Sequence, residues 1–88
     1  MTYKVEFIEE AIRSLAKLDR EITRRIHRKL IWLAENAEKI EHAGLRGDLA
    51  GKMKLREGDY RVIYEVLQDE ELNKVRFIGH RSEVYKRR

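Results

Sequence analysis

Between Lys52 and Tyr85 the chain carries a set of cations and a phenol whose types and spacing suit work on a phosphodiester. Lys52, Lys54 and Arg56 alternate along one predicted strand, Arg61 follows on the next, and the run Ile78-Gly79-His80-Arg81-Ser82-Glu83-Val84-Tyr85 brings in Arg81 and Tyr85. Alternate side chains of a strand share a face, so the three bases of the first strand line up, and a hairpin partner adds Arg61. An arginine makes permanently charged, bidentate contacts with phosphate, and a lysine can also take part in proton transfer. Such a set could perform acid–base chemistry on RNA with no metal.

Each of these residues also has an ordinary structural reading. A stripe of alternating bases is commonly the solvated face of a strand, and Arg61 by itself would pair with Glu65 or Asp59 on the sheet surface. Tyr85, near the C-terminus, would pack back on the core, yet among Arg81, Lys86, Arg87 and Arg88 it is placed to stack on a base. Strand alternation puts His80 opposite Arg81, which favours a hydrogen-bonding role for the histidine. The convergence of the cations is what favours chemistry. Arg56, His80 and Lys86 are candidate substrate contacts beside the catalytic candidates Lys52, Lys54, Arg61, Arg81 and Tyr85.

Other chemistries find little support. The absence of cysteine removes thiolate nucleophiles, thiolate metal sites and disulfides. Three scattered histidines without a His-x-x-x-His pair do not make a metal cage. Gly44-x-x-Gly47-x-x-x-Gly51 lacks the spacing of a phosphate-binding loop, Ser14 lies within a predicted helix, and Ser82 has no flanking elbow glycines.

The elements that must position these groups are predicted from periodicity. Tyr3 to Phe7 alternate as a strand; from Ile8 the apolar residues Ile8, Ala11, Ile12 and Leu15 recur at helical spacing to about Leu18. Asp19 is placed to cap a second helix with the stripe Ile22, Ile26, Leu30, Leu33 and Ala37. Glu21 to Arg25 and Glu35 to Lys39 read as helical ion pairs, and Ile31 and Trp32 extend the apolar surface beyond one stripe. A loop with Gly44, Gly47 and Gly51 leads to a strand over Lys52–Arg56, a tight turn at Glu57-Gly58-Asp59, an apolar strand from Tyr60 to Leu67, a polar turn over Asp69–Asn73 and a last strand to His80. The expected fold is α+β, β-α-α-β-β-β, with a small antiparallel sheet packed on an N-terminal helical hairpin, as one domain over 1–88.

The 88 residues include 20 Lys and Arg against 16 Asp and Glu, a net charge of +4. Residues 46–88 hold 11 basic and 8 acidic side chains, whereas residues 1–45 hold 9 and 8. The excess fits an RNA, a ribosome or an acidic protein as partner. No segment approaches the ~18 apolar residues that span a bilayer and no signal peptide opens the chain, so no membrane partner and a cytoplasmic location are expected.

The stretch Leu55-Arg56-Glu57-Gly58-Asp59-Tyr60-Arg61-Val62-Ile63-Tyr64, followed by Ile78-Gly79-His80-Arg81-x-x-Val84-Tyr85, resembles the signature of the RelE/ParE toxin superfamily of bacteria and archaea, in its RelE branch. The resemblance spans almost the whole chain, and Glu57 stands where that family more often has an aliphatic residue. It implies the toxin of a type II toxin–antitoxin system, a ribosome-dependent mRNA endonuclease that needs no cofactor. Its partners would be a RelB-like antitoxin, in a hetero-oligomer, and the ribosomal A site with its message. The ribose 2′-hydroxyl would attack the adjacent phosphate and leave a 2′,3′-cyclic phosphate. In that reading Lys52 and Lys54 serve as base and charge stabiliser, Arg61 holds the phosphate, Arg81 assists the leaving group and Tyr85 stacks on the nucleotide. The alternatives are a gyrase inhibitor of the ParE branch, which lacks the strand-two bases and the terminal tyrosine, and a non-catalytic RNA-binding module.

Overall fold

The computed structural model describes residues 3–36 and 52–86, apart from the side chains of Gln68, Tyr85 and Lys86. The order is β1 (Lys4–Phe7), α1 (Glu9–Ala16), α2 (Arg20–Asn36), β2 (Met53–Glu57), β3 (Tyr60–Leu67), a short 3-10 turn (Gln68–Glu70), β4 (Leu72–His80) and α3 (Arg81–Lys86). The glycine loop, Ala37 and the Glu35–Lys39 pair fall outside or partly outside the described residues. The four strands form one sheet in the order β1-β4-β3-β2.

The antiparallel expectation holds for β2, β3 and β4, but β1 joins β4 in parallel, with Val5 opposite Asn73 and Phe7 opposite Val75. The reason is the connection. A helical crossover lets the chain re-enter the sheet running in its original direction, as in parallel units generally. The helices α1 and α2 provide that crossover from β1 at one edge to β2 at the other.

One face of the sheet is buried against the two helices. Leu55, Val62, Tyr64, Val75 and Ile78 meet Ala11, Ile26, Leu30 and Leu33 there, with Val5, Phe7, Met53, Tyr60 and Val66 packed around them. Val75 and Ile78 share this face although three residues apart. A β-bulge opposite Ile63 and Tyr64 inserts Arg76 without a partner and shifts the alternation of β4. The predicted polar turn is shorter than expected: Glu71 takes a left-handed φ of 49°, and Leu72 and Asn73 already belong to β4. Asn73 is fully buried on the helix side, and neither of its amide atoms has a hydrogen-bond partner among the described residues.

The helices begin and orient for specific reasons. Asp19 caps α2 as expected, accepting from the Ile22 N–H at 2.9 Å. Glu21 pairs with Arg24 at 2.6 Å, not with Arg25, because Arg25 reaches across to Glu57 of β2. In α1 the buried line is Ala11 and Ser14, while Ile12 is exposed. Beyond Val75, β4 has run past the end of β1. The Ile78 N–H on that bare edge donates to Ser14 Oγ at 3.0 Å, and the hydroxyl in turn donates to the Ala11 carbonyl at 2.9 Å. Turning Ser14 inward satisfies the strand and rotates Ile12 into solvent.

Ser14→Ala should leave the buried Ile78 N–H without an acceptor and destabilise the fold by about 1–3 kcal/mol, read as a lower urea midpoint with an unchanged slope. An unaltered midpoint would show that the strand finds another acceptor. Burial also pushes the Tyr64 phenol from 10.0 up to about 12. A raised folded value means that the unfolded chain ionises first, so stability holds below pH 10 and falls between about pH 10 and 12. Tyr64→Phe should flatten that alkaline loss in urea melts taken across the window.

Candidate active site on the open face of the sheet

The face of the sheet turned away from α1 and α2 carries the basic residues. With Met53 and Leu55 packed toward the helices, Lys54 and Arg56 point to the other side, and Arg56 is exposed. Arg61, Ile63 and Glu65 of β3 share this side. The helix α3 lies over part of it. Val84, fully buried, packs with Ile63 and Phe77 in a second small core, which anchors α3 across β3 and β4 and leaves the β2 side of the face uncovered among the described residues.

Glu65 sits within the basic stripe. Its Oε1 lies 3.0 Å from Arg76 Nη1 and its Oε2 lies 3.7 Å from Lys52 Nζ. This carboxylate was not among the sequence candidates, although its period-two relation to Arg61 and Ile63 in an apolar strand was a visible signal. Arg76 reaches it through the bulge, which periodicity does not disclose. Lys52 is therefore held toward β3, and half-buried Lys54 lies opposite Ile63.

The β2–β3 turn organises the other end of the site. Gly58 and Asp59 are its two central residues, since Glu57 pairs with Tyr60, and Gly58 takes a φ of +60°. That pattern, glycine first with a positive φ, belongs to the two-residue hairpin turns that match strand twist. Arg25 packs beneath, so close that a Cβ on Gly58 would fall 2.9 Å from its Nη2. The turn carbonyls then collect donors: Arg61 Nη1 donates to Gly58 and Tyr60 O, both at 2.8 Å, and the Arg81 N–H donates to Asp59 O at 2.7 Å.

Arg61 is consequently buried, 4% exposed, with an unpartnered Nε, and pairs with neither Glu65 nor Asp59. Arg81 is the first residue of α3, whereas the sequence placed it at a strand end. Its backbone fixes the helix to the turn and its side chain is exposed. The structure thus brings the backbones of Arg56, Arg61 and Arg81 to the turn end, with Lys54 farther along β2 and Lys52, expected to begin that strand, just before it. Tyr85 and Lys86 lie on α3.

His80 explains why a helix starts where a strand was expected to end. Its ring makes an edge-on contact with Tyr60, with centroids 5.6 Å apart. Its Nδ1 accepts from the Ser82 N–H at 3.1 Å and lies 2.9 Å from Ser82 Oγ. This is the position and acceptor geometry of an N-cap, and it places the neutral ring's proton on Nε2. Glu83 in the first turn adds the charge that a helix N-terminus favours. Histidine is an uncommon cap, so the helix left little trace in the sequence. Among the described residues no group of three His, Asp or Glu could hold a metal ion.

Comparison with known proteins places this architecture. Residues 5–85 match the family model for the ParE toxin of the type II toxin–antitoxin system parDE. The mRNA interferase toxin RelE of Escherichia coli is 34% identical over 97% of this chain and 92% of its own length. The chain belongs to the RelE/ParE toxin superfamily. Solved toxins share its fold: the RelBE2 toxin–antitoxin complex from Mycobacterium tuberculosis has a TM-score of 0.82 at 26% identity, covering 93% of this chain and 94% of the other. The isolated Escherichia coli RelE toxin scores 0.74 at 27% identity, with 97% of both chains covered.

In this RelE-like toxin, helix α3 should depend on its histidine cap. His80→Ala should destabilise α3 by about 1 kcal/mol and speed amide exchange at residues 82–86 while leaving β3 protected. Equal exchange at those amides in both proteins would remove the capping role.

Proposed function

We propose that this toxin is a ribosome-dependent mRNA endonuclease restrained by a RelB-like antitoxin. The observation that carries the reading is the backbone bond from Arg81 to the β2–β3 turn, which seats the first residue of α3 beside the strands that carry Lys54, Arg56 and Arg61. The names of the relatives, mRNA interferase toxin RelE in Escherichia coli and mRNA interferase RelE in Shigella flexneri, support it.

The chemistry follows from placing a dinucleotide step on this face. The 2′-hydroxyl loses its proton to one lysine of the Lys52–Lys54 pair, acting as a neutral amine, as its oxygen forms a bond to phosphorus. The other lysine, with the arginines, stabilises the added charge on the phosphorane. The bond to the 5′-oxygen then breaks, with Arg81 stabilising the leaving oxygen while solvent water gives it a proton, and a 2′,3′-cyclic phosphate and a 5′-hydroxyl remain. Arg61 contributes to the phosphate by turning out from the Gly58 and Tyr60 carbonyls. Tyr85 stacks on the nucleotide, and Arg56, His80 and Lys86 contact the flanking strand. No metal or cofactor enters these steps. Fixed cations stabilise the phosphorane but do not impose in-line geometry, so the decoding site supplies the strained message, and the toxin acts in the cytosol where ribosomes are.

Antitoxin complexes are the setting of several structural relatives, including archaeal RelE–RelB from Pyrococcus horikoshii. A segment that folds on this basic face would gain both charge and apolar contacts and would mask the bases, giving a toxin–antitoxin hetero-oligomer. The ParE name of the matched family model favours a second reading, a gyrase inhibitor. The β2 bases with Arg81 and Tyr85 favour the nuclease.

Arg81→Ala should lower cleavage of ribosome-bound messages by about 10²–10³-fold, the loss typical of one transition-state charge stabiliser. The substitution keeps the backbone N–H that holds α3, so circular dichroism should not change. Mapping of 5′ ends on translating ribosomes reads the result. Full cleavage by the variant would remove Arg81 from the site, and inhibited supercoiling by purified gyrase without message cleavage would replace the nuclease reading with the ParE one.

A further inference from the structure

A second basic surface lies on α2, around the edge of β2 from the open face. Arg25, Arg28, Lys29 and Trp32 line a cleft of about 310 Å³ together with Glu57. Glu57 is its sole carboxylate among the described residues, and Arg25 engages it through Nε and Nη2, at 3.2 and 3.1 Å from the same oxygen. Arg28 and Lys29 have no ion-pair partner among the described residues. The Glu21 carboxylate on the preceding turn is taken by Arg24, which holds it below the ordinary carboxylate range. Across α2, five Lys and Arg stand against two Glu. Trp32 is 40% exposed, and Lys29 Nζ sits 4.8 Å from its ring centroid.

Two charges left unbalanced beside an exposed aromatic ring make a surface of a particular kind. Grooves that track single-stranded nucleic acid combine cations for the phosphates with flat rings for bases or sugars. An acidic peptide that folds on binding needs apolar area to offset its ordering, and among the described residues Trp32 is the only apolar one in this cleft. Position adds a further argument: Glu57 is the last residue of β2, directly after Arg56, so the cleft continues the basic stripe around the strand edge.

We propose that the α2 cleft grips the RNA strand that flanks the segment lying on the open face, with Arg28 and Lys29 on its phosphates and Trp32 against a base. This rests on the reading of the toxin as an RNA-cleaving protein. The occupant is the substrate strand itself, so the cleft sets how much of the message the toxin holds and which side of the cut it follows. Arg25, committed to Glu57, shapes the cleft wall.

The test uses fluorescence anisotropy with a labelled single-stranded RNA long enough to cover both surfaces and a dinucleotide that covers one. The double variant R28E/K29E should bind the long RNA at least about tenfold more weakly, with a salt slope shallower by about 1.4, the value for two lost contacts to a single strand. Its affinity for the dinucleotide should be unchanged. Trp32→Ala should weaken the long RNA by about fivefold or more at an unchanged slope. Equal binding of the long RNA by parent and double variant would overturn the inference, as would a defect that appears only with whole ribosomes or only with an acidic antitoxin peptide. Cleavage of ribosome-bound message by the parent is scored separately. A parent that cuts while the double variant keeps its RNA affinity loses the cleft and keeps the nuclease, and an inactive parent with length-dependent RNA binding does the reverse.

Discussion

The carbonyl groups of one two-residue turn hold the candidate site together. Gly58, Asp59 and Tyr60 accept three hydrogen bonds, two from the Arg61 guanidinium and one from the Arg81 backbone. Without the left-handed φ of Gly58 the turn would not close over two residues, and Arg61 and Arg81 would not bond to neighbouring carbonyls. Arg25 and Glu57 brace the same turn from the helix side. The open face of the sheet, the start of α3 and the side of α2 that carries Arg25 are therefore coupled through a few peptide groups at the end of a hairpin.

That coupling sets the structural role of Arg61 against the one proposed for it. Its Nη1 satisfies turn carbonyls, while its buried, unpartnered Nε carries an unmet hydrogen-bonding capacity. A guanidinium in this setting is poised between a structural bond and a ligand. In the proposed function a phosphate would offer a stronger, charge-assisted acceptor than a neutral carbonyl, and its charge would draw the side chain out.

Much of this was legible in the sequence because the signals were local. The β2 stripe, the glycine turn, the Asp19 cap and the apolar lines of α2 and β3 are period or cap effects, and the structure repeats them. What stayed hidden depended on contacts between distant residues. The inward turn of Ser14 answers a bare N–H of Ile78, the Arg76 bulge alters which β4 residues face the helices, and the parallel pairing of β1 follows from a crossover. Helix α3 was missed because its cap is a histidine at the end of a strand. Arg61 was read as a surface residue since nothing near it in the chain announces that the turn carbonyls would capture it.

The short β1 has a consequence for how the free chain behaves in solution. A sheet edge with unpaired peptide groups is a template for strand addition and for aggregation. Here the edge strand β1 is only four residues long, and where it stops the hydroxyl of Ser14 caps the Ile78 N–H of β4. At the other edge, β2 carries Lys54 and Arg56, so a second copy approaching edge to edge would set like charges side by side. Whatever anion they meet, these cations also disfavour the addition of one copy of the chain to the sheet edge of another.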